Sequence, residues 1–331
     1  MSEKILTITV PSYNVEKYLN ETIPHFLDER ILDDIEVLIV NDGSKDSTQK
    51  IACEFETKYP DTVRAIEKPN GGHGSTINRG IKEAKGKYFK VVDGDDWVDT
   101  EEFVKFVEKL KTEDSDIILT PFKRVFIDVN REEDALIKDL VPEKQYKFDE
   151  ITDVLGISFQ MHSITFKTSI LKKIPSIREN SFYVDQEYNI YPIPYVNTVT
   201  AYSFNVYRYR LGSTEQSMNV KNMQKNRKMH ENVTMDLLNY YLDIKGKNPA
   251  KDVLVKRRVA GMCERQIRIW LSMDVSEETK DDLNKFLKTV KSKSDEIYKS
   301  IPGKKALLLR IFGIKAYKLT SKIQHKSDSK G

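Results

Sequence analysis

The chain has 331 residues, 39% apolar and 32% charged, with a formal net charge of +3. That is enough for one large domain with an appendage, or two modest ones, and enough apolar content for a core. No window holds the ~18 consecutive apolar residues of a membrane-spanning helix, the opening Met1–Val10 lacks the apolar run of a secretory signal, and the two cysteines, Cys53 and Cys263, lie far apart without metal-ligand spacing, so a reducing cytoplasm is expected.

The first 120 residues alternate between two kinds of segment. Ile5–Val10 is a continuous β-branched run and predicts a buried strand. Val15–Leu27 has helical spacing, Glu36–Val40 predicts a second strand, and Ser47–Tyr59 a helix with Asp46 and Ser47 as capping candidates. Val63–Ile66 predicts a strand, Ser75–Ala84 a helix ending near Gly86, Tyr88–Val92 a strand, Thr100–Lys111 a helix and Ile117–Thr120 a fifth strand. This alternation predicts a Rossmann-like α/β fold, with a mostly parallel central sheet and helices on both faces. Ligands in such sheets bind beyond the carboxyl ends of the strands.

From Phe122 to Arg210 the pattern is less regular, with Asn197–Tyr209 extended. Beyond Gly212 it becomes helical, over Met223–Leu242, Val253–Leu271 and Ser276–Val290. The expected division is a nucleotide-binding domain over 1–215 and a helical C-terminal region over 216–331. From Ile297 onward nine lysines and arginines face one acid, Asp328, a balance of +8. Within Ala306–Ile323, apolar Leu307, Leu308, Ile311, Ile314, Leu319 and Ile323 alternate with Arg310, Lys315, Lys318 and Lys322. A basic amphipathic pattern of this kind suits the surface of an anionic membrane, or a helix packed on the body with a charged outer face. It lacks the interleaved aromatics of a single-stranded nucleic-acid site.

Five segments at strand ends carry chemistry. Asp93-Gly94-Asp95-Asp96 puts three carboxylates within four residues, which repel unless a cation sits among them; a hard divalent ion with a diphosphate ligand fits, as does an Asp-rich turn capping the next helix. Asn41-Asp42-Gly43-Ser44 ends the second strand, where an acid in a doubly wound sheet often meets a nucleoside; an ordinary turn is the alternative. Pro11-Ser12-Tyr13-Asn14 ends the first strand and places an aromatic ring where it could flank a base or simply pack. Lys68-Pro69-Asn70-Gly71-Gly72-His73-Gly74-Ser75 is a glycine-rich loop opening a helix, able to offer N–H groups to an anion, but it follows the third strand and is no G-x-G-x-x-G fingerprint. His73 suits phosphate, a sugar hydroxyl or solvent. Finally, Phe182-Tyr183-Val184-Asp185-Gln186-Glu187 sets an acid pair beside aromatics, as a general base or a helix cap.

In this order and spacing the five segments resemble glycosyltransferase family two, the inverting enzymes of GT-A fold, over roughly residues 4–215. The resemblance implies that Pro11, Tyr13, Asn14 and Asp42 frame the nucleoside. It further implies that Asn70, Gly71, Gly72 and His73 line the donor, that Asp93 faces the donor, and that Asp95, with Asp93, binds Mn²⁺ or Mg²⁺. Asp185 then deprotonates the acceptor hydroxyl. Three departures stand out. Ile77 replaces an arginine common in the family, with Arg79 two positions on. Val184 stands where Glu often precedes the base, leaving Glu187 as a substitute. Gln266-Ile267-Arg268-Ile269-Trp270 has the letters of a processive motif but the wrong spacing, and reads as helix packing. Tyr207–Ser213 also looks like a family segment, in which Arg210 or Ser213 could touch the diphosphate; a solvated edge strand is the alternative. The resemblance implies a nucleotide-sugar donor, with uridine as the common case, a glycan or lipid-linked acceptor, and no nucleic-acid partner. Two other readings compete: a nucleotidyltransferase, disfavoured because Pro11–Asn14 holds the place of its phosphate loop, and a non-catalytic nucleotide-sugar-binding scaffold, disfavoured by intact Asp93, Asp95 and Asp185.

Overall fold

The computed structural model describes residues 4–138, 140–153, 155, 159–212 and 220–328. They form two compact units, residues 1–213 and 214–331. In the first, β1 (Leu6–Ser12), α1 (Glu16–Thr22), β2 (Ile35–Asn41), α2 (Thr48–Lys58), β3 (Val63–Glu67), α3 (His73–Glu83) and β4 (Tyr88–Val91) follow one another in the alternating order. Every residue of β1 and β2 is buried, as parallel strands covered on both faces require. Next come β5 (Trp97–Val98), α4 (Thr100–Leu110), β6 (Ile117–Leu119), β7 (Phe122–Phe126), β8 (Arg131–Ala135), β9 (Gln145–Lys147), β10 (Ile164–Lys167), α5 (Thr168–Leu171), α6 (Asp185–Ile190), β11 (Thr198–Ala201) and β12 (Tyr207–Leu211).

The central sheet has eight strands in the order β3-β2-β1-β4-β10-β6-β11-β9. β1 through β4 are mutually parallel. The chain runs outward from β1 to β3 and returns to β4 on the other side of β1, so the order reverses between β1 and β4. That switch point is where a crevice opens beyond the strand ends. β10 runs antiparallel between β4 and β6, and β9 antiparallel on the far edge. A second sheet, β5-β12-β7-β8, stands apart.

Several sequence expectations shift. The helix expected over Val15–Leu27 ends at Thr22, and Ile23–Phe26 tightens to a 3₁₀ turn with Pro24 in its first turn; proline has no N–H for the α-helical ladder. The single extended stretch Asn197–Tyr209 divides into β11 and β12, which join different sheets. The expected α2 cap is Asp46, whose Oδ1 accepts from Thr48 N–H at 3.0 Å, while Ser47 makes no side-chain cap. α4 matches its period: Phe103, Val104, Phe106, Val107 and Leu110 are buried, and the Asp99 side chain accepts from Glu102 N–H.

The second unit contains α7 (Val220–Lys225), α8 (Arg227–Ile244), α9 (Pro249–Ser272), α10 (Glu277–Lys293), α11 (Asp295–Ser300), α12 (Lys304–Phe312) and α13 (Tyr317–Asp328). Asn248, Ser276 and Ser294 cap α9, α10 and α11 through their side-chain oxygens. Gln266 and Trp270 are buried in α9, Gln266 against His230 Nδ1 at 2.6 Å, so the segment resembling a processive motif is core packing. The amphipathic run Ala306–Ile323 is not one helix: it breaks at Gly313, whose φ is 61°, into α12, a 3₁₀ turn (Gly313–Ala316) and α13. No described helix is long and apolar enough to cross a membrane.

Candidate active site

The crevice is built from loops that lock one another. Asp42, at the end of β2, is buried. Its Oδ1 accepts from Gly71 N–H at 2.9 Å and from the Lys68 ammonium at 2.6 Å, and its Oδ2 accepts from Gly72 N–H at 2.7 Å. Asn70 Nδ2 donates to the Asp42 carbonyl at 2.9 Å. The amides expected to cradle an anion are thus given to a carboxylate of the protein, and Asp42 serves first to fold the glycine-rich loop. The loop ends in Gly72, whose φ of 77° favours glycine, and α3 starts at His73 rather than Ser75. Asn14 plays a similar bracing part: its N–H donates to Ser44 Oγ at 3.0 Å and its Oδ1 accepts from Lys45 N–H at 2.8 Å. Pro11 is buried at the end of β1, while the Tyr13 ring is half exposed and open to a ligand.

β4 delivers Asp93 to the centre. Its Oδ1 lies 2.8 Å from His73 Nε2. Burial alone would lower the His73 pKa, but Asp93, Asp185 and Asp95 outweigh it and hold the imidazole above its ordinary value. Asp93 is the reverse case: burial pushes it up, and His73 with His162 holds it below the ordinary carboxyl value. Asp95 is raised by burial and by Asp93, and Asp96 is raised well above its ordinary value by burial and by both neighbours. A cluster this short of positive charge suits a cation. Asp93, Asp96 and His162 each offer a ligand atom, all within 4.8 Å of one another. The His162 Nδ1 is buried with no hydrogen-bond partner, and burial pushes this imidazole down to about 4, so it is neutral and able to ligate. Asp96 is the least available, since Oδ2 accepts from Tyr207 OH at 2.5 Å and Oδ1 from Arg210 N–H at 2.7 Å. The donor set therefore fits a divalent ion on Asp93 and His162, with exposed Asp95 beside them.

Asp185 opens α6. Its loop is stitched to the glycine-rich loop: Asn180 N–H donates to the Gly71 carbonyl at 2.6 Å, and a Cβ on Gly74 would stand 2.1 Å from the Arg178 carbonyl oxygen. The negative charge of Asp185 helps raise the His73 pKa, while Asp93 bonds that imidazole directly. Glu187 is spoken for: its Oε2 accepts from Arg178 N–H at 2.8 Å and its Oε1 from Tyr191 OH at 2.8 Å, in full burial. Asp185 is half-buried, and its Oδ2 accepts from Gln186 Nε2 at 2.7 Å.

Two arginines behave differently from expectation. Arg79 lies six residues along α3 from His73, about 9 Å at the helical rise, and pairs with Glu83 at 3.0 Å. Arg210 braces the acid loop: its Nε donates to the Asp95 carbonyl at 2.7 Å, its guanidinium stacks 4.5 Å from the Trp97 ring centroid, and it pairs with Glu21 at 3.1 Å. Ser213 lies outside the described residues. Sequence reading missed His162 and Lys90, and singled out the segment of Tyr207 for Arg210 and Ser213 rather than for the tyrosine. Tyr207 OH accepts from Asp93 N–H at 3.2 Å while donating to Asp96. The Lys90 ammonium is fully buried in β4, pushed down to about 7 by burial, and donates to the His162 carbonyl at 2.9 Å. A lysine inside an otherwise apolar strand was the signal for Lys90; Tyr207 opens the Tyr207–Ser213 segment, and His162 reaches the site from a distant element with no local motif.

The chain is similar to known proteins in both sequence and fold. Over 114 residues the chain is 40% identical to the uncharacterized glycosyltransferase EpsJ of Bacillus subtilis, a match covering 34% of this chain and 33% of that protein. Over 119 residues it is 36% identical to the minor teichoic acid biosynthesis protein GgaB of Bacillus subtilis, covering 35% of this chain and 13% of that protein. The matches thus span a third or less of these two relatives. The fold resembles that of S. aureus TarS 1-349, solved in complex with UDP-GlcNAc, with a TM-score of 0.67 over 98% of this chain and 92% of that chain, at 16% identity. The central sheet with flanking helices is the GT-A fold. The family described as "Glycosyl transferase family 2" matches residues 7–174, just over half of the chain, and the protein belongs to that family.

Proposed function

We propose that this protein is an inverting glycosyltransferase that moves a hexosyl or N-acetylhexosaminyl group from a uridine diphosphate sugar to a hydroxyl acceptor, in the synthesis of a surface polysaccharide or glycoconjugate. The observation that carries the reading is the cluster of Asp93, Asp96 and His162 beyond the end of β4, with His73 bonded to Asp93. His73 bonds the acid cluster through Asp93, and Asp185, at the start of α6, supplies a carboxylate suited to take a proton. Tyr13 offers a face to the base, and the loops braced by Asp42 and Asn14 shape its pocket.

In the transfer, the acceptor oxygen forms a bond to the anomeric carbon as the bond from that carbon to the diphosphate oxygen breaks. The diphosphate leaves with the electron pair, and Asp185 receives the acceptor's proton. A single displacement inverts the centre. Asp93 and Asp95, with His162, are the groups to hold Mn²⁺ or Mg²⁺, which when bound neutralises charge on the leaving diphosphate. His73, whose pKa the neighbouring carboxylates raise, supplies positive charge to the same region when protonated. The relatives' printed names, one in teichoic acid synthesis and one solved with UDP-GlcNAc, support this choice of donor and product class. An exposed, unbridged Cys53 accords with work in the cytoplasm, and a lipid-linked acceptor would bring the enzyme to the membrane's inner face.

The test is UDP release from a panel of UDP-sugars with Mn²⁺ and a glycan or lipid-linked hydroxyl acceptor, with the product anomer read by NMR. An inverted product, formed by the native chain and not by Asp185→Asn, is expected. A retained anomer, or undiminished transfer by Asp185→Asn, refutes the assignment.

A further inference from the structure

The last two described helices leave several large apolar side chains exposed. α12 buries Ala306 and Leu309 but leaves Leu307 47%, Ile311 62% and Phe312 59% exposed. α13 buries Tyr317 together with three polar side chains, Thr320, Ser321 and Gln324, and leaves Leu319 55% and Ile323 42% exposed. Leu307 with Ile311, and Leu319 with Ile323, are each four residues apart, so each pair shares one face of its helix. Polar contacts accompany the buried Ala306, Leu309 and Tyr317. Thr320 Oγ1 donates to the Ala316 carbonyl at 2.9 Å, the Lys305 ammonium donates to Gln324 Oε1, and Arg310 donates to the Ile301 carbonyl at 2.6 Å. Leu309 and Tyr317 face inward, while Leu307, Ile311, Phe312, Leu319 and Ile323 are left outside.

Cations ring those residues. Lys304, Lys315, Lys318, Lys322 and Lys326 are all exposed, and Asp328 is the only acid from residue 304 to 328. Lys318 and Lys322 alternate with Leu319 and Ile323 along the same outer side of α13. We propose that this face docks on an anionic lipid surface, with Leu307, Ile311, Phe312, Leu319 and Ile323 entering the headgroup boundary and the five lysines meeting lipid phosphates. The charge pattern selects this occupant. A second copy docked about a two-fold axis would set these lysines against their own counterparts, and like charges oppose that pairing. Neither helix can span a bilayer, so the contact lies in the interface plane. The inference is independent of the catalytic reading, because a protein inactive on every donor would still bind vesicles.

The experiment is flotation of the full chain with vesicles of phosphatidylcholine alone or mixed with phosphatidylglycerol. Binding is expected to the anionic vesicles and not to the neutral ones, and to fall as salt rises. Lys318→Gln with Lys322→Gln should weaken partition about 25-fold, at about fivefold per lysine. Ile311→Ser with Phe312→Ser should also reduce it, while the charge-matched control Lys50→Gln with Lys147→Gln leaves it unchanged. These side chains are exposed, so thermal melting should match the native chain. Absence of binding to anionic vesicles, or equal loss in the control, overturns the proposal. So does a native dimer in sedimentation that Leu319→Ser with Ile323→Ser disperses, which would make the face a self-association surface.

Discussion

Replacing Tyr207 with phenylalanine isolates one hydroxyl at the centre of the acid cluster. The ring fills its buried site either way, so no cavity opens. The hydroxyl accepts from Asp93 N–H at 3.2 Å and donates to Asp96 Oδ2 at 2.5 Å. A hydrogen bond to a charged group contributes about 1.5–3 kcal/mol, and a stranded buried polar group costs about 1–3 kcal/mol. Asp96 has a raised pKa, which makes its bond closer to a neutral one and favours the lower end. Tyr207→Phe should therefore destabilise the protein by about 2–4 kcal/mol, read as a shift in urea midpoint at unchanged slope. Asp93 also loses its backbone anchor, so transfer should fall at least about tenfold, the equivalent of ~1.4 kcal/mol in the barrier. A variant within about 0.5 kcal/mol of the native chain and fully active would refute the view that Tyr207 ties Asp93 and Asp96 together.

Asp185→Asn keeps the shape of the residue but removes its basicity; UDP should still bind, measured by calorimetry, while transfer falls by about 10²–10⁴-fold. Gly74→Ala drives a Cβ to 2.1 Å from the Arg178 carbonyl oxygen, and should cost about 1–3 kcal/mol in thermal or urea unfolding and displace the Asp185 loop. His230 is buried against Gln266 and held down to about 4, mainly by burial. Between pH 6.5 and that value the unfolded chain binds more protons, so stability is full above pH 6.5 and is lost as pH falls towards 4. The loss should reach about 2–3 kcal/mol by pH 4.5, and His230→Asn should flatten that part of the profile, seen by urea unfolding at several pH values.

The alternation of β-branched runs with helical periods made the first half of the central sheet legible, because parallel strands buried on both faces leave a continuous apolar trace. The strand-end acids were legible for the same reason: once a strand is placed, the residues after it fall in the crevice. β10 was not, since a four-residue strand inserted between β4 and β6 is specified by pairing with distant partners. The division of Asn197–Tyr209 between two sheets likewise depends on tertiary contacts. Roles within the site were less legible than positions. Asp42 and Arg210 sit where expected, yet the carboxylate folds the glycine-rich loop and the guanidinium braces the Asp95 backbone, choices set by partners 26 to 115 residues away. His162 has no motif at all; it enters because Lys90 binds its carbonyl and Tyr209 stacks on its ring at 4.3 Å between centroids.

The central claim is that carboxylates at the rim of the sheet hold a divalent ion that in turn holds a nucleotide diphosphate. Titration calorimetry of UDP into the native chain and Asp95→Ala, each with Mn²⁺ and with EDTA, tests it most directly. The account predicts binding to the native chain that Mn²⁺ strengthens and EDTA weakens, and a loss of that metal dependence in Asp95→Ala. The same UDP affinity in all four titrations would contradict it.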